Sequence, residues 1–123
     1  MTPAETGRAG EDVAAAFLEA AGLRVMDRNF RFNREEIDLA CLDTAGGTIV
    51  IVEVKARRGT RFGAPEAAVD AAKQQAILRV TEAYLHERRL MPAIVRFDVV
   101  AVTFDARDVP DVEHFRNAFG YFV

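Results

Sequence analysis

One short segment constrains the fold of this chain more than any other. Residues 49–55 read Ile-Val-Ile-Val-Glu-Val-Lys, an apolar and mostly β-branched run that ends in a glutamate and a lysine. Such a run is typical of a strand covered on both faces, and we predict a central strand over residues 48–54. Because side chains alternate along a strand, Glu53 and Lys55 are predicted to share one face. A carboxylate and an amine at the end of a buried strand are costly unless they are paired or bind a ligand.

A second acidic residue is predicted to lie beside Glu53. Asp38 belongs to residues 36–42, whose alternation predicts another strand, and residues 43–47 between the two strands are typical of a tight turn. Folding the chain back across this turn brings Asp38 opposite Glu53, and two carboxylates so close repel each other. A divalent cation between them would relieve the repulsion. Mg²⁺ or Mn²⁺ suits such oxygen ligands.

The remaining pattern predicts helices and one more strand around this pair. A first helix is predicted from Thr2-Pro3 to a stop at Gly22, an interrupted strand over residues 23–32, a loop over residues 59–63, a long helix from Pro65 to about Arg89, and a second central strand over residues 93–104. From Asp108 onward, Phe115, Phe119, Tyr121 and Phe122 predict a short helix or a tail packed on the body. The order α-β-β-β-α-β predicts one α/β domain over residues 1–123, with a mixed β-sheet flanked by helices.

Two more residues are candidates for the same site. Lys55 is placed to orient a metal-bound water or to contact a phosphate. Glu11 lies at the edge of the apolar stripe of the first helix, so its carboxylate is expected to face the sheet, and Gly7 and Gly10 would allow a close backbone approach. Both assignments have a simpler alternative. The strand residues can form a structural ion-pair network, and Glu11 can be a solvated acid in the first turns of its helix.

Charge indicates where a nucleic acid would lie. The net charge of −3 does not by itself indicate nucleic-acid binding. However, Arg57, Arg58 and Arg61 follow the Glu-Lys strand directly, and guanidinium groups match phosphate oxygens. Lys73 on the second predicted helix is another candidate for phosphate contact. The alternative is a solvated loop and an exposed helix lysine.

Several classes of protein and of site are not expected. No apolar run approaches the ~20 residues of a membrane span, no secretory signal opens the chain, and the single Cys41 suits a reducing compartment, so we expect a cytoplasmic protein. Two histidines and one cysteine show no zinc-binding pattern. His86 and His114 are expected on the surface. Arg96 and Asp98 share a strand face and are expected to pair.

Taken together, the motifs resemble those of the YraN family of bacterial proteins, over about residues 7–119. The motifs are Gly-Arg-Ala-Gly-Glu-Asp at 7–12, Asn29, Arg31, Glu-Ile-Asp-Leu at 36–39, Val-Glu-Val-Lys-Ala-Arg at 52–57, Phe62-Gly63, Lys73 and Arg-Phe-Asp-Val-Val at 96–100. The family looks like a member of the restriction-endonuclease-like PD-(D/E)XK superfamily and is similar to archaeal Holliday-junction resolvases. The resemblance implies an acid in the first helix, an Asp, a Glu-x-Lys pair and a divalent metal, which map onto Glu11, Asp38, Glu53 and Lys55. Glu35 stands where the family usually has Gly, which puts the local geometry before Asp38 in question. Glu36 shares the strand face of Asp38, so it can lie near the site or be an ordinary edge charge.

Three functional hypotheses follow. The first is a nuclease that uses Mg²⁺ or Mn²⁺ and acts on the phosphodiester backbone of DNA, including branched DNA, with Asp38, Glu53 and Glu11 as metal ligands. The second is a nucleic-acid-binding module that keeps the fold but has no turnover. The third concerns assembly: a four-way junction has two-fold symmetry, which a homodimer would match, with the aromatic tail as its contact.

Overall fold

The computed structural model describes residues 1–59 and 69–119, which form two helices and five strands. The elements are α1 (Pro3–Ala20), β1 (Leu23–Phe32), β2 (Glu35–Asp43), β3 (Ile49–Arg58), α2 (Ala71–Glu87), β4 (Val95–Phe104) and β5 (Pro110–Phe119). The strands form one sheet in the order β1-β2-β3-β4-β5. Of the five described strands, only β3 and β4 pair in parallel, and the chain between them contains α2, so a βαβ crossover joins two antiparallel hairpins. The predicted mixed α/β sheet is confirmed.

The central strand β3 is covered on both faces, as predicted. Val50 and Val52 lie in a buried cluster with residues of α1, whereas Ile49 and Ile51 lie in a second cluster with residues of α2. The two helices therefore cover opposite faces of the sheet. Side chains on both faces of β3 are apolar because each face packs against a helix.

The first helix approaches the sheet closely at one glycine. A Cβ built on Gly10 would lie 2.3 Å from the Cβ of Ala56 in β3. The predicted close approach is confirmed at Gly10. It is wrong for Gly7, where a Cβ would meet no heavy atom of the described residues within 4 Å. The glycine at position 10 therefore sets the distance between α1 and β3, and the next residue is Glu11.

The hairpin of β2 and β3 sets the register of the candidate site. The Asp43 N–H donates to the carbonyl of Thr48 and the Gly47 N–H donates to the carbonyl of Asp43, both at 2.8 Å, which closes the predicted turn. The paired residues run from Leu42 opposite Ile49 to Leu39 opposite Val52. One step further along each strand are Asp38 and Glu53, so the predicted juxtaposition follows from the register.

The second helix begins later than the sequence predicts. Asp70 has extended backbone angles and its side chain accepts a hydrogen bond from the Lys73 N–H at 2.8 Å, so it caps a helix that starts at Ala71. Val69, which the prediction placed inside the helix, precedes this cap. Pro65, the predicted first residue, lies outside the described residues. The helix ends at Glu87, because Arg89 has a left-handed backbone with φ of 56°.

The chain after Asp108 forms a strand instead of the predicted short helix or tail. The Asp105 carboxylate accepts hydrogen bonds from the N–H groups of Arg107 and Val109, which closes a turn that returns the chain antiparallel to β4. Phe119 is buried and stacks on Phe97 with ring centroids 5.0 Å apart. This use of Phe119 in the core reduces the aromatic surface offered for a homodimer. Tyr121 and Phe122 lie outside the described residues.

The close approach at Gly10 yields a paired prediction. Gly10→Ala forces Cβ against Ala56 and is expected to lower the free energy of unfolding by about 1–3 kcal/mol. Gly7→Ala, in the same helix, adds a better helix former in open space and is expected to raise it by about 0.5–1 kcal/mol. Urea unfolding of both variants measures the difference. Equal effects of the two substitutions would contradict the proposed packing.

Candidate active site

The centre of the candidate site is a pair of carboxylates where β2 and β3 separate. Beyond the Leu39–Val52 pair, the Val54 N–H donates to Oδ2 of Asp38 at 2.8 Å. The side chain of Asp38 thus binds an amide that would otherwise face the neighbouring strand. This contact holds the Asp38 carboxyl group against β3, next to Glu53, which is only 4% exposed.

The Glu53 carboxyl group strongly affects the protonation of Asp38. Burial, a hydrogen bond with the Glu53 carboxyl group and the charge of Glu53 raise the pKa of Asp38 from 3.8 to about 8, against the opposing effect of the Val54 amide. A hydrogen bond between two carboxyl groups requires a proton on one of them. Asp38 is therefore expected to hold a proton near neutral pH in the metal-free protein. A divalent cation would have to displace this proton, so proton and metal compete for the same oxygens.

A second group of acids lies against Asp38. Oxygen atoms of Glu11, Glu36 and Asp38 all lie within 4.8 Å of one another. The Asn29 Nδ2 donates to Glu11 Oε1 at 2.9 Å and to Glu36 Oε1 at 3.0 Å, so one amide bridges two of these carboxylates. Glu11 is thus brought to Asp38 by α1, as the sequence predicts. The structure adds Glu36, which sequence reasoning left undecided between a role near the site and an ordinary edge charge.

Asn29 owes its place to an unusual backbone. Its φ of 54° is in the left-handed region, although Asn29 lies within β1. In the pairing of β1 with β2, Arg28 and Phe30 each have a partner, whereas Asn29 between them has none. Asn is among the few residues that tolerate this conformation. Asn29 is among the family motifs named above and lies in the predicted interrupted strand, but sequence reasoning assigned it no role. That interruption was the available signal, since a break inside an otherwise regular strand often marks a residue aimed at a site.

Cations of the protein partly neutralise the acids. The Arg31 Nε lies 2.8 Å from Glu36 Oε2, and the Arg28 Nη2 lies 3.9 Å from Glu11 Oε1 while it binds Asp12 at 2.7 Å. Burial is the main cause of a raised pKa for Glu11, and the hydrogen bond from Asn29 opposes it. Glu11 therefore carries its charge at a cost that a further cation would reduce.

Glu53 provides the test of whether a metal fits. Its Oε1 is buried and accepts no hydrogen bond from the described residues. The Lys73 Nζ lies 3.5 Å away, which brings Lys73 to the site although the sequence left it open between a contact and an ordinary exposed lysine. A buried carboxylate oxygen without a hydrogen bond is costly. An oxygen-only donor set of this kind suits Mg²⁺ or Mn²⁺, so the residues present fit a hard divalent cation.

Lys55 and the arginines that follow it differ in their contacts. Lys55 is half-buried on β3, and its amine makes no ion pair or hydrogen bond with any residue in the described ranges. Arg58 forms an ion pair with Asp108 in the turn between β4 and β5. Arg57 is half-buried, and Arg61 lies outside the described residues. The basic cluster predicted for phosphate contact is thus split, with Arg58 bound to an acid.

Glu35, which precedes Asp38 by three residues, points toward α2. Its Oε1 accepts a hydrogen bond from the Arg79 Nε at 2.9 Å. The additional anion is therefore balanced by a helix arginine.

A second buried acid forms a separate network. Asp98 accepts two hydrogen bonds from Arg96, at 2.9 and 3.0 Å, which confirms the predicted pair. The His114 Nε2 lies 2.7 Å from Asp98 Oδ2, and the side chain of His114 is only 9% exposed, so its predicted surface position is wrong. The reason is that β5 brings residue 114 onto β4. Although burial opposes it, these contacts and the Asn117 N–H lower the pKa of Asp98.

The fold and site define a class: an α/β protein with a carboxylate cluster at the point where two central strands separate. Comparison with known proteins then gives the family. The sequence matches the uncharacterised protein family UPF0102 over residues 10–102, and the chain belongs to this family, which is the YraN family predicted above. None of the described helices is long and apolar enough to cross a membrane.

Relatives from several bacteria share most of the chain's length. A UPF0102 protein of Geobacter sulfurreducens is 43% identical over 92% of this chain and 87% of its own. A UPF0102 protein of Syntrophotalea carbinolica is 46% identical over 92% and 89%, respectively. One from Symbiobacterium thermophilum is 51% identical over 78% of this chain and 80% of its own.

The shared proton of Asp38 yields a prediction on pH. Because the folded state keeps a proton that the unfolded chain releases, the free energy of unfolding should fall as pH rises from the unfolded pKa of 3.8 toward about 8. One proton contributes a slope of up to ~1.4 kcal/mol per pH unit. Asp38→Asn keeps a neutral acceptor for the Val54 amide and should flatten this dependence. Urea unfolding in EDTA at a series of pH values measures it.

The control for this measurement is Asp12→Asn, which changes an exposed acid of α1. It should keep the pH dependence of the native protein. An Asp38→Asn variant with an unchanged slope would show that Asp38 does not hold the proton.

Proposed function

We propose that this protein is a metal-dependent nuclease that hydrolyses the phosphodiester backbone of DNA, branched DNA included. The observation that carries the proposal is the buried Glu53 carboxylate, which contacts Asp38 and has an oxygen that accepts no hydrogen bond from the described residues. The resemblance of Glu11, Asp38, Glu53 and Lys55 to the PD-(D/E)XK motif supports the same function.

Asp38 and Glu53 would hold a Mg²⁺ or Mn²⁺ ion, with Glu11 as a third ligand and Glu36 beside them. Such an ion supplies an activated water at neutral pH and stabilises negative charge on the phosphoryl oxygens. The four carboxylates would otherwise repel a phosphate. Their position between two strands and a helix fixes them in one arrangement before substrate arrives, which reduces the reorganisation needed for reaction.

Lys55 would act on the substrate side of the site. It lies two residues beyond Glu53 on β3, and in the described residues nothing holds its amine. An ammonium in this place is able to donate to a phosphate oxygen or to orient the attacking water. Arg57, Arg58 and Arg61, together with Lys73, would contact the DNA backbone and set its position without reading its sequence.

Cleavage assays on linear, flapped and four-way-junction DNA test the proposal. The native protein is expected to cut at least one substrate with Mg²⁺ or Mn²⁺ and none with EDTA. Glu53→Gln removes a metal-binding charge at nearly constant shape and should reduce the rate by roughly 100-fold or more. Glu35→Gln makes the same substitution at the acid bound by Arg79 and should change the rate by only a few-fold. Absence of cutting by the native protein, or undiminished cutting by Glu53→Gln, would refute the proposal.

A nucleic-acid-binding module without turnover is the second candidate. One observation favours it: the acids of the site are already engaged by Arg28, Asn29, Arg31 and Lys73. Such internal pairing would also suit a structural network that needs no metal. In this case the protein would bind DNA in a salt-dependent manner and would not cleave it in the presence of Mg²⁺.

Salt dependence of DNA binding tests the phosphate contacts under either candidate. Replacing Arg57 and Arg58 by Gln should reduce the magnitude of the negative slope of log K against log salt by about 1–2, since each phosphate contact contributes ~0.9. Replacing Arg107 and Arg116, which are exposed elsewhere, changes the net charge equally and should leave the slope within about 0.5 of the native value. Fluorescence anisotropy at several salt concentrations measures both. An unchanged slope in the first variant would remove Arg57 and Arg58 from the interface.

A further inference from the structure

Lys73 occupies a position that helix formation does not explain. It lies in the first turn of α2, where its N–H is bound by the cap Asp70, and this turn contains no acidic residue. A cation near a helix N-terminus faces the positive end of the helix dipole, which is unfavourable. The Asp70 carboxylate at the cap offsets part of this cost, and the rest calls for a compensating interaction elsewhere.

The compensating interaction is with Glu53. The Lys73 Nζ lies 3.5 Å from Glu53 Oε1, and the side chains are 45% and 5% exposed, respectively. A charge-assisted N–H···O bond is typically ~2.7–2.9 Å long, so this contact is an ion pair without a good hydrogen bond. The Glu53 oxygen is accordingly left without a hydrogen-bond partner among the described residues. Lys73 balances the charge of Glu53 but does not satisfy its oxygen.

We propose that Lys73 is an exchangeable cation: it neutralises Glu53 in the metal-free protein, and it turns to a phosphate oxygen of the nucleic acid when a divalent cation occupies the site. This inference rests on the proposed function. Two cations that compete for one carboxylate oxygen repel each other, so the weaker-held ammonium leaves. The exchange is non-covalent and keeps the positive charge of Lys73 available for substrate.

The surroundings of Lys73 permit such a movement. Its side chain lines an open groove between β2 and α2, together with Arg34, Glu36 and Ile77. The four-carbon stem of a lysine rotates readily, while its backbone here stays fixed by the Asp70 cap. Lys55 does not compete for this role, because in the described part of the chain its amine contacts no carboxylate.

Isothermal titration with Mn²⁺ tests the exchange directly. Lys73→Gln removes the competing cation and should bind Mn²⁺ roughly fivefold more tightly than the native protein, as expected for loss of a half-exposed ion pair. Lys73→Arg keeps the charge and should not bind more tightly. Arg79→Gln, which removes one positive charge from the same helix, should change the affinity by less than about twofold. Lys73→Met provides a second neutral variant with the same expectation as Lys73→Gln.

A second measurement follows the proposed phosphate contact. With a phosphorothioate duplex that resists cleavage, Lys73→Gln should lower the salt slope of binding by about 1 in Mn²⁺ and by clearly less in EDTA, where Glu53 engages the amine. Tighter Mn²⁺ binding together with this metal-dependent loss supports the exchange. Equal or weaker Mn²⁺ binding by the neutral variants, or equal slope changes in Mn²⁺ and EDTA, overturns it and leaves the proposed function standing. A native protein that binds no Mn²⁺ overturns both.

Discussion

Two carboxyl groups held in contact away from water impose a requirement that the surrounding structure has to meet. Asp38 and Glu53 cannot both be ionised at low cost in this position, because burial and mutual repulsion act in the same direction. In the metal-free protein, a proton on Asp38, the Val54 amide and the ammonium of Lys73, 3.5 Å from Glu53 Oε1, are expected to reduce this cost. None of these gives Glu53 Oε1 a hydrogen bond. Under the proposed function, these are the oxygens that a divalent cation would bind.

The neighbouring α1 and β1 position further acids beside this pair, and each contains a locally unfavourable residue that makes this possible. Gly10 lets α1 approach Ala56 closely, at the expense of helix propensity, and so places Glu11 beside Asp38. Asn29 adopts a left-handed backbone within a strand and uses its amide to bridge Glu11 and Glu36. Gly10 is unfavourable within a helix and the left-handed Asn29 is unfavourable within a strand, and both lie next to the carboxylate cluster. Such coinciding departures are more often found at functional sites than in purely structural regions.

The sequence predicted the centre of this arrangement because local patterns determine it. The apolar run at 49–52 and the turn at 43–47 together set the register that puts Asp38 next to Glu53. The sequence did not predict β5, since a shift in its pairing with β4 and a left-handed Asn117 break the alternation that marks a strand. It also misplaced His114, whose burial depends on β5, and it left Glu36 and Lys73 undecided. Those contacts depend on how separate elements meet, which a pattern along one strand or helix does not contain.

Comparison of the two buried acids on the central strands separates a structural network from a candidate site. Asp98 is fully buried and accepts hydrogen bonds from Arg96, His114 and the Asn117 amide, so its charge is satisfied within the protein. Glu53 is almost as buried, yet the cation that pairs with it among the described residues is a half-exposed lysine beyond good hydrogen-bonding distance. A purely structural role for both acids would not explain why Asp98 is fully hydrogen-bonded while Glu53 keeps an oxygen that accepts no hydrogen bond from the described residues. The difference is what a site for an external cation requires: acids that are fixed in position by the fold and incompletely neutralised by it.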